Sequence, residues 1–267
     1  MSHPDAELSP TRLLDFQTAA IAELVEARAW RDLSEHDRIG AAYDFVRNKI
    51  AFGYNAADDL PASAVLRDGY GQCNTKATLL MALLRALDVP CRLHGFTIHK
   101  SLQRGIVPEI VYPLAPNRIL HSWVEVWHEG RWINLEGFIL DDAVLTALQA
   151  RFANEIKSLC GYGVGTDSLS APSVEWSGTD TYIQRTGINA DLGLFETPDD
   201  FYAQHQQSFG RLRGLLYRYL IRHWMNARVK WMRTGKVPFI PDLGQCSVLP
   251  RNIPVGNMRS GQTVAKQ

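Results

Sequence analysis

Residues 68–92, DGYGQCNTKATLLMALLRALDVPCR, constrain the fold more than any other stretch of the chain. A glycine-bearing turn runs directly into apolar residues at helical spacing, which predicts a helix over residues 74–87. Ala77, Leu80, Leu84 and Leu87 form one face that must be buried. Residues 91–98, CRLHGFTI, read as a strand that follows at once. Cys73 therefore stands at the junction of turn and helix. Three readings of that thiol are open: a small buried residue, a metal ligand or a nucleophile. Free cysteines are usually buried and structural, and position alone favours that reading for both Cys73 and Cys91. The chemistry of the junction favours a nucleophile. Unpaired N–H groups at a helix start stabilise a thiolate and can receive an oxyanion, and Gly69 and Gly71 clear space for a substrate backbone. The cysteines Cys73, Cys91, Cys160 and Cys246 are scattered, with no CxxC pair. That spacing argues against a zinc site and a disulfide framework, and makes a reducing cytoplasm the simplest compartment.

A nucleophilic cysteine needs a base, and the base needs an orienting group. Residues 121–138, HSWVEVWHEGRWINLEGF, alternate apolar and polar side chains on both sides of Glu129-Gly130, a hairpin signal. A two-residue turn there pairs His121 opposite Phe138 and makes His121 and Glu136 diagonal neighbours on one face, about 7–8 Å apart at the backbone. A glutamate side chain closes that gap onto one ring nitrogen. The other readings are a hydrogen-bonded core histidine and a solvated glutamate, and a different turn would offer Asp141 or Asp142 as the acid.

The remaining chain is read more coarsely. Residues 11–30 carry Leu13, Leu14, Ile21, Leu24 and Val25 at helical spacing, and Ser34 with Asp37 marks the start of a second helix. Residues 52–72 and 99–119 look like loops, the latter walling a cleft or packing on the body; residues 141–156 look helical. Residues 160–190 look irregular. Thr197-Pro198-Asp199-Asp200 is a helix start, with the pattern running to Gly235 and breaks near Gly210 and Gly214. The 267 residues and 46% hydrophobic content suffice for a sizeable core. Lys plus Arg and Asp plus Glu each total 28, so net charge points to no nucleic-acid partner. The polar N-terminus lacks the apolar core of a signal peptide, and no run reaches membrane-spanning length.

Taken in order, Gly71-x-Cys73, Leu83-Leu84-Arg85-Ala86, Pro90-x-Arg92, His121-x-Trp123-x-Glu125, Trp132 and Glu136 resemble the transglutaminase-like superfamily. The resemblance covers about residues 35–142. It implies an α+β, papain-like core: N-terminal helices, the cysteine at a helix N-terminus, and an antiparallel sheet carrying His and acid. Residues 1–145 would form that core and residues 146–267 a mostly helical extension packed on it. It implies a Cys73–His121–Glu136 triad acting on a peptide, amide or thioester donor through a thioester, with water or an amine as acceptor and no metal or organic cofactor. Gln72, Gly71, Trp123 and Tyr112 are the oxyanion and substrate candidates. The acid is usually Asp in this family, so Glu136 is a departure.

One feature lies outside the resemblance. Between residues 201 and 241 there are eight Lys and Arg but no Asp or Glu. Leu212, Leu216, Tyr219, His223, Ala227 and Trp231 recur at three-to-four spacing and read as a core-packing stripe with a solvated basic face. The sharper reading is that Arg218, Arg222 and Arg228 meet an acidic partner, an anionic membrane surface or an acyl carrier protein. That would make the protein peripheral to a membrane, or a non-catalytic binding module with the same fold.

Overall fold

The structure, a computed structural model, describes residues 8–152, 156–207 and 210–240. At its centre is helix α4 (Cys73–Ala86), every residue of which is buried. Around it lie α1 (Ala19–Ala27), α2 (Glu35–Asn48) and α3 (Ala62–Asp68) on one side. On the other is an antiparallel sheet of β3 (Cys91–His99), β4 (Arg118–His128), β5 (Arg131–Leu135) and β8 (Ile188–Phe195), in the order β5-β4-β3-β8. Two short parallel strands, β1 (Ala51–Phe52) and β2 (Tyr70–Gly71), bring the chain into α4. Even Lys76 is buried within this helix; its ammonium donates to the carbonyls of Arg47 and Ile139 at 3.2 and 3.0 Å, and burial pushes its pKa well down.

Local signals in the sequence explain much of this. Ser34 Oγ accepts from the Asp37 N–H at 3.2 Å at the start of α2, and Thr197 Oγ1 accepts from Asp200 N–H at 3.1 Å at the start of α6 (Pro198–Gln204). Each cap satisfies an N–H that the helix itself cannot pair. The β4–β5 turn has Glu129 at φ 48° and Gly130 at φ 78°, the pair of left-handed residues that a two-residue hairpin needs. Its register, Val124 opposite Leu135 and His128 opposite Arg131, is the predicted one.

Several expectations are corrected. Helix α3 occupies residues read as loop, and Leu13 and Leu14 are buried before α1 rather than in it. Pairing in the hairpin stops at Leu135, so Glu136 leaves the sheet and His121 never pairs with Phe138. The segment read as irregular contains the hairpin β6 (Leu159–Gly161) and β7 (Val164–Thr166) and leads into β8. The sheet thus takes strands from both sides of the 145/146 boundary. Cys160 is disulfide-bonded, which overturns the expectation of unpaired thiols; Cys246 lies outside the described residues. No helix among the described residues is long and apolar enough to cross a membrane.

The C-terminal helical run is α7 (Arg211–Leu216), a π turn (Tyr217–Ile221) and α8 (Arg222–Arg233). It starts after Gly210, at φ 69°, and Gly214 lies inside it. The Asn226 side chain clamps the Tyr54 backbone from both sides, accepting from its N–H at 2.7 Å and donating to its carbonyl at 3.0 Å. Arg233 pairs with Asp141 at 2.6 Å. These two anchors turn Met225, Val229 and Met232 into the core. Most of the stripe expected to pack is exposed instead, at Leu216, Tyr219, His223 and Trp231, while Ala227 is half-buried and the Leu212 side chain lies outside the described residues.

Candidate active site

Cys73 is the first residue of α4, so its backbone lies where the helix presents unpaired N–H groups. The preceding turn is fixed by polar contacts: the Gln72 N–H donates to Thr75 Oγ1 at 3.1 Å, and that hydroxyl donates to Asn55 Oδ1 at 2.7 Å. Gly71 is required here for packing, not for substrate access. A Cβ at that position would lie 2.6 Å from Thr75 Oγ1 and 3.0 Å from Lys76 Cγ. Gly69 serves the backbone, closing α3 in the left-handed region at φ 69°.

The structure brings His121 and Glu136 together, both fully buried, with His121 Nε2 and Glu136 Oε1 at 2.8 Å. The second carboxylate oxygen accepts from the N–H groups of Ile183 and Gln184 at 2.9 and 3.0 Å. The Glu136 N–H is itself held by the Thr181 carbonyl at 3.1 Å. The carboxylate is thus locked on both oxygens. The other ring nitrogen, Nδ1, is buried without a hydrogen-bond partner. Cys73 acts on the ring both through its charge and as a side-chain partner. Burial favours the neutral ring, but the adjoining Cys73 sulfur and Glu136 outweigh it and push the His121 pKa up to about 10.

Cys73 opens onto a cleft of about 430 Å³. Its walls come from the loop before β4, with Val107, Val111 and Leu114, and from the C-terminal helices, with Leu216, Ile221 and Met225. Gln72 borders it; its Oε1 accepts from the Asn55 N–H at 2.9 Å and its Nε2 donates to Asp58 Oδ1 at 2.8 Å. Burial raises the Asp58 pKa against the opposing hydrogen bonds from Gln72 and Asn74.

The remaining candidates sit elsewhere. Trp123 is buried behind the sheet, its ring 4.0 Å from that of Phe96, and does not line the cleft. Tyr112 is half-buried under Lys100 and Arg104, 5.2 and 5.7 Å above its ring, also outside the cleft. Asp141 is engaged by Arg233 and by the N–H groups of Phe52 and Val144, and Asp142 pairs with Arg47 at 2.5 Å. Sequence reasoning missed Tyr202 of α6, which lines the cleft with a buried hydroxyl lacking any partner. It also missed residues 181–184: the Ile183 and Gln184 N–H groups and the Thr181 carbonyl leave no side-chain signature, and the Thr181 hydroxyl, which accepts from the Glu136 and Gly137 N–H groups at 3.1 Å, lies far away in sequence.

This geometry agrees with what the chain is similar to. Residues 24–137 match the family model described as the transglutaminase-like superfamily, and the structure there is an α+β core with a cysteine at a helix start and a histidine on an antiparallel sheet. A solved protein from Cytophaga hutchinsonii, provisionally named a cysteine protease, is 14% identical with a TM-score of 0.41 over 74% of this chain and 50% of that one. This chain thus spans half the length of that protein. No curated protein matches.

Proposed function

We propose that the protein is a cysteine-dependent acyl-transfer enzyme acting through a thioester. The observation that carries this reading is the buried His121–Glu136 pair beside a thiol that opens onto a cleft. Cys73 Sγ attacks the acyl carbon, forming a C–S bond. The developing oxyanion meets the N–H groups at the start of α4, aided by the Gln72 amide, one of whose two hydrogens is not committed to Asp58. His121 gives a proton to the leaving amine as the tetrahedral intermediate collapses to the thioester. It then takes a proton from water or a second amine, which attacks the thioester and releases the thiolate. Glu136 holds the imidazole in place and stabilises its charged form. A cytoplasmic location, expected from unpaired cysteines, loses that support because Cys160 is bonded and disulfides persist in oxidising compartments.

The test needs no known substrate. Iodoacetamide should label Cys73 faster than Cys91 and continue to do so below neutral pH, read by site-resolved mass spectrometry. Cys91 is the internal control: fully buried, with burial pushing its thiol up to about 11 despite the nearby Arg85. Equal rates would leave a binding module with an inert thiol as the better reading. A screen of peptides, amides and thioesters with product masses then separates hydrolysis from transfer.

Tyr202 supplies a sharper test of the cleft. Burial first, then the charges at Asp58 and Cys73, keep its phenol protonated and able to donate. Tyr202→Phe removes a hydroxyl that bonds to nothing in the folded protein. The melting temperature should hold or rise, while kcat falls by about 10–100-fold through loss of a donor to bound substrate. Unchanged kcat would make Tyr202 a packing residue.

A further inference from the structure

We infer that the outer face of α7 and α8 docks on an anionic lipid surface. The inward stripe of these helices is already spent on the core through Met225, Val229 and Met232. A second apolar stripe remains on the opposite side, where Leu215 and Tyr219, then Leu220, Trp224 and Trp231, recur at intervals of four or seven residues. Tyr219 is 69% exposed, Trp231 57% and Trp224 44%. A helix with apolar residues on both sides needs two covers, and the described residues supply one.

Charge identifies the second. No acidic residue occurs between residues 201 and 241. Arg213, Arg218 and Lys230 are exposed. Arg233 is tied to Asp141, and Arg222 folds back onto the Arg218 carbonyl at 2.6 Å, so neither belongs to the docking set. Large aromatic and leucine side chains flanked by free cations are the composition of a helix that lies in a lipid interface. Aromatic rings settle at headgroup level while Arg and Lys meet anionic headgroups. An acidic protein partner would call for the cations but not for this area of exposed Trp, Tyr and Leu.

A second segment adjoins the C-terminal helices at the cleft. Leu114, from the loop before β4, and Leu216 are both exposed and both line the cleft. Docking through this face sets the mouth of the cleft at the lipid surface. On the reading of Cys73 as nucleophile, acyl donors held at that surface then reach the thiol directly. The docking itself does not depend on that reading.

The test is co-sedimentation of the full chain with phosphatidylcholine vesicles, with and without phosphatidylglycerol, at low and at physiological salt. Wild-type protein should pellet only with the anionic vesicles, and more weakly as salt rises. The pairs Trp224→Ser/Trp231→Ser and Arg218→Glu/Lys230→Glu should each weaken binding by at least about tenfold. Cys73 alkylation in both variants should match wild type, showing that fold and site are intact and separating this result from the fate of the catalytic reading. No pelleting on anionic vesicles at low salt, or equal binding by the variants, overturns the inference. So does a wild-type dimer that the tryptophan variant dissolves, which would make the face a contact between copies, or binding to an acidic carrier protein without binding to vesicles.

Discussion

Glu136→Gln is expected to lower turnover by about three to four orders of magnitude, with the fold retained. The side chain keeps its length, so the enclosure by residues 181–184 is preserved in shape. Its charge is lost, and the imidazolium loses the partner now 2.8 Å away. An amide also presents its NH₂ either to the Ile183 and Gln184 donors, where those bonds fail, or to His121 Nε2, where it forces the ring proton onto Nδ1. A second readout is independent of substrate. Glu136 helps raise the His121 pKa to about 10. Without it the ring gives up its proton at lower pH, and Cys73 alkylation at neutral pH should slow. Asp141→Asn and Asp142→Asn should leave turnover per folded molecule nearly unchanged. If either of them is the crippling change while Glu136→Gln stays active, the orienting acid has been misassigned.

Asp141→Ala is expected to act on stability instead, by about 3–5 kcal/mol in urea denaturation. The carboxylate is the meeting point of three elements. It accepts from the Phe52 N–H after α2 at 2.8 Å, from the Val144 N–H at the start of α5 (Asp142–Phe152) at 3.1 Å, and from Arg233 of α8 at 2.6 Å. Removing it leaves the Phe52 and Val144 amides without their acceptor and a partly exposed guanidinium with only the Phe52 carbonyl. Burial works to raise its pKa, but Arg233 and the two backbone donors prevail and hold it below the ordinary 3.8. A depressed carboxylate contributes stability that is fully present above 3.8 and is lost as pH falls through its folded value. Wild type should therefore lose an increment on acidification below about pH 4 that the variant has already lost. A variant as stable as wild type would show that α8 is held by Asn226 and its apolar stripe alone.

What could be read without coordinates was what short-range chemistry decides. Ser34 and Thr197 cap helices because a hydroxyl three residues before an orphan N–H reaches it whatever surrounds them. The β4–β5 register follows from a two-residue turn and the two-residue pleat, which was enough to place His121 near Glu136. The helix start at Cys73 follows from the glycine turn and the apolar run.

Tertiary structure decided the rest. Glu136 reaches His121 after leaving the sheet, and the donors that fix it are amides of residues 183 and 184, groups every residue carries. Gly71 looked like a gap for substrate, yet the missing Cβ makes room for Thr75 and Lys76, one turn into the helix. The C-terminal helices show the limit most plainly. Met225, Val229 and Met232 repeat at helical spacing, and so do Leu220, Trp224 and Trp231 around the other side. Periodicity weighs the two stripes alike, and side-chain size favours the wrong one. Which stripe is buried was settled when Asn226 found Tyr54 and Arg233 found Asp141, more than ninety residues away in sequence. Contacts at that separation are selected by the whole packed core, because no local segment can supply both the anchor and its partner.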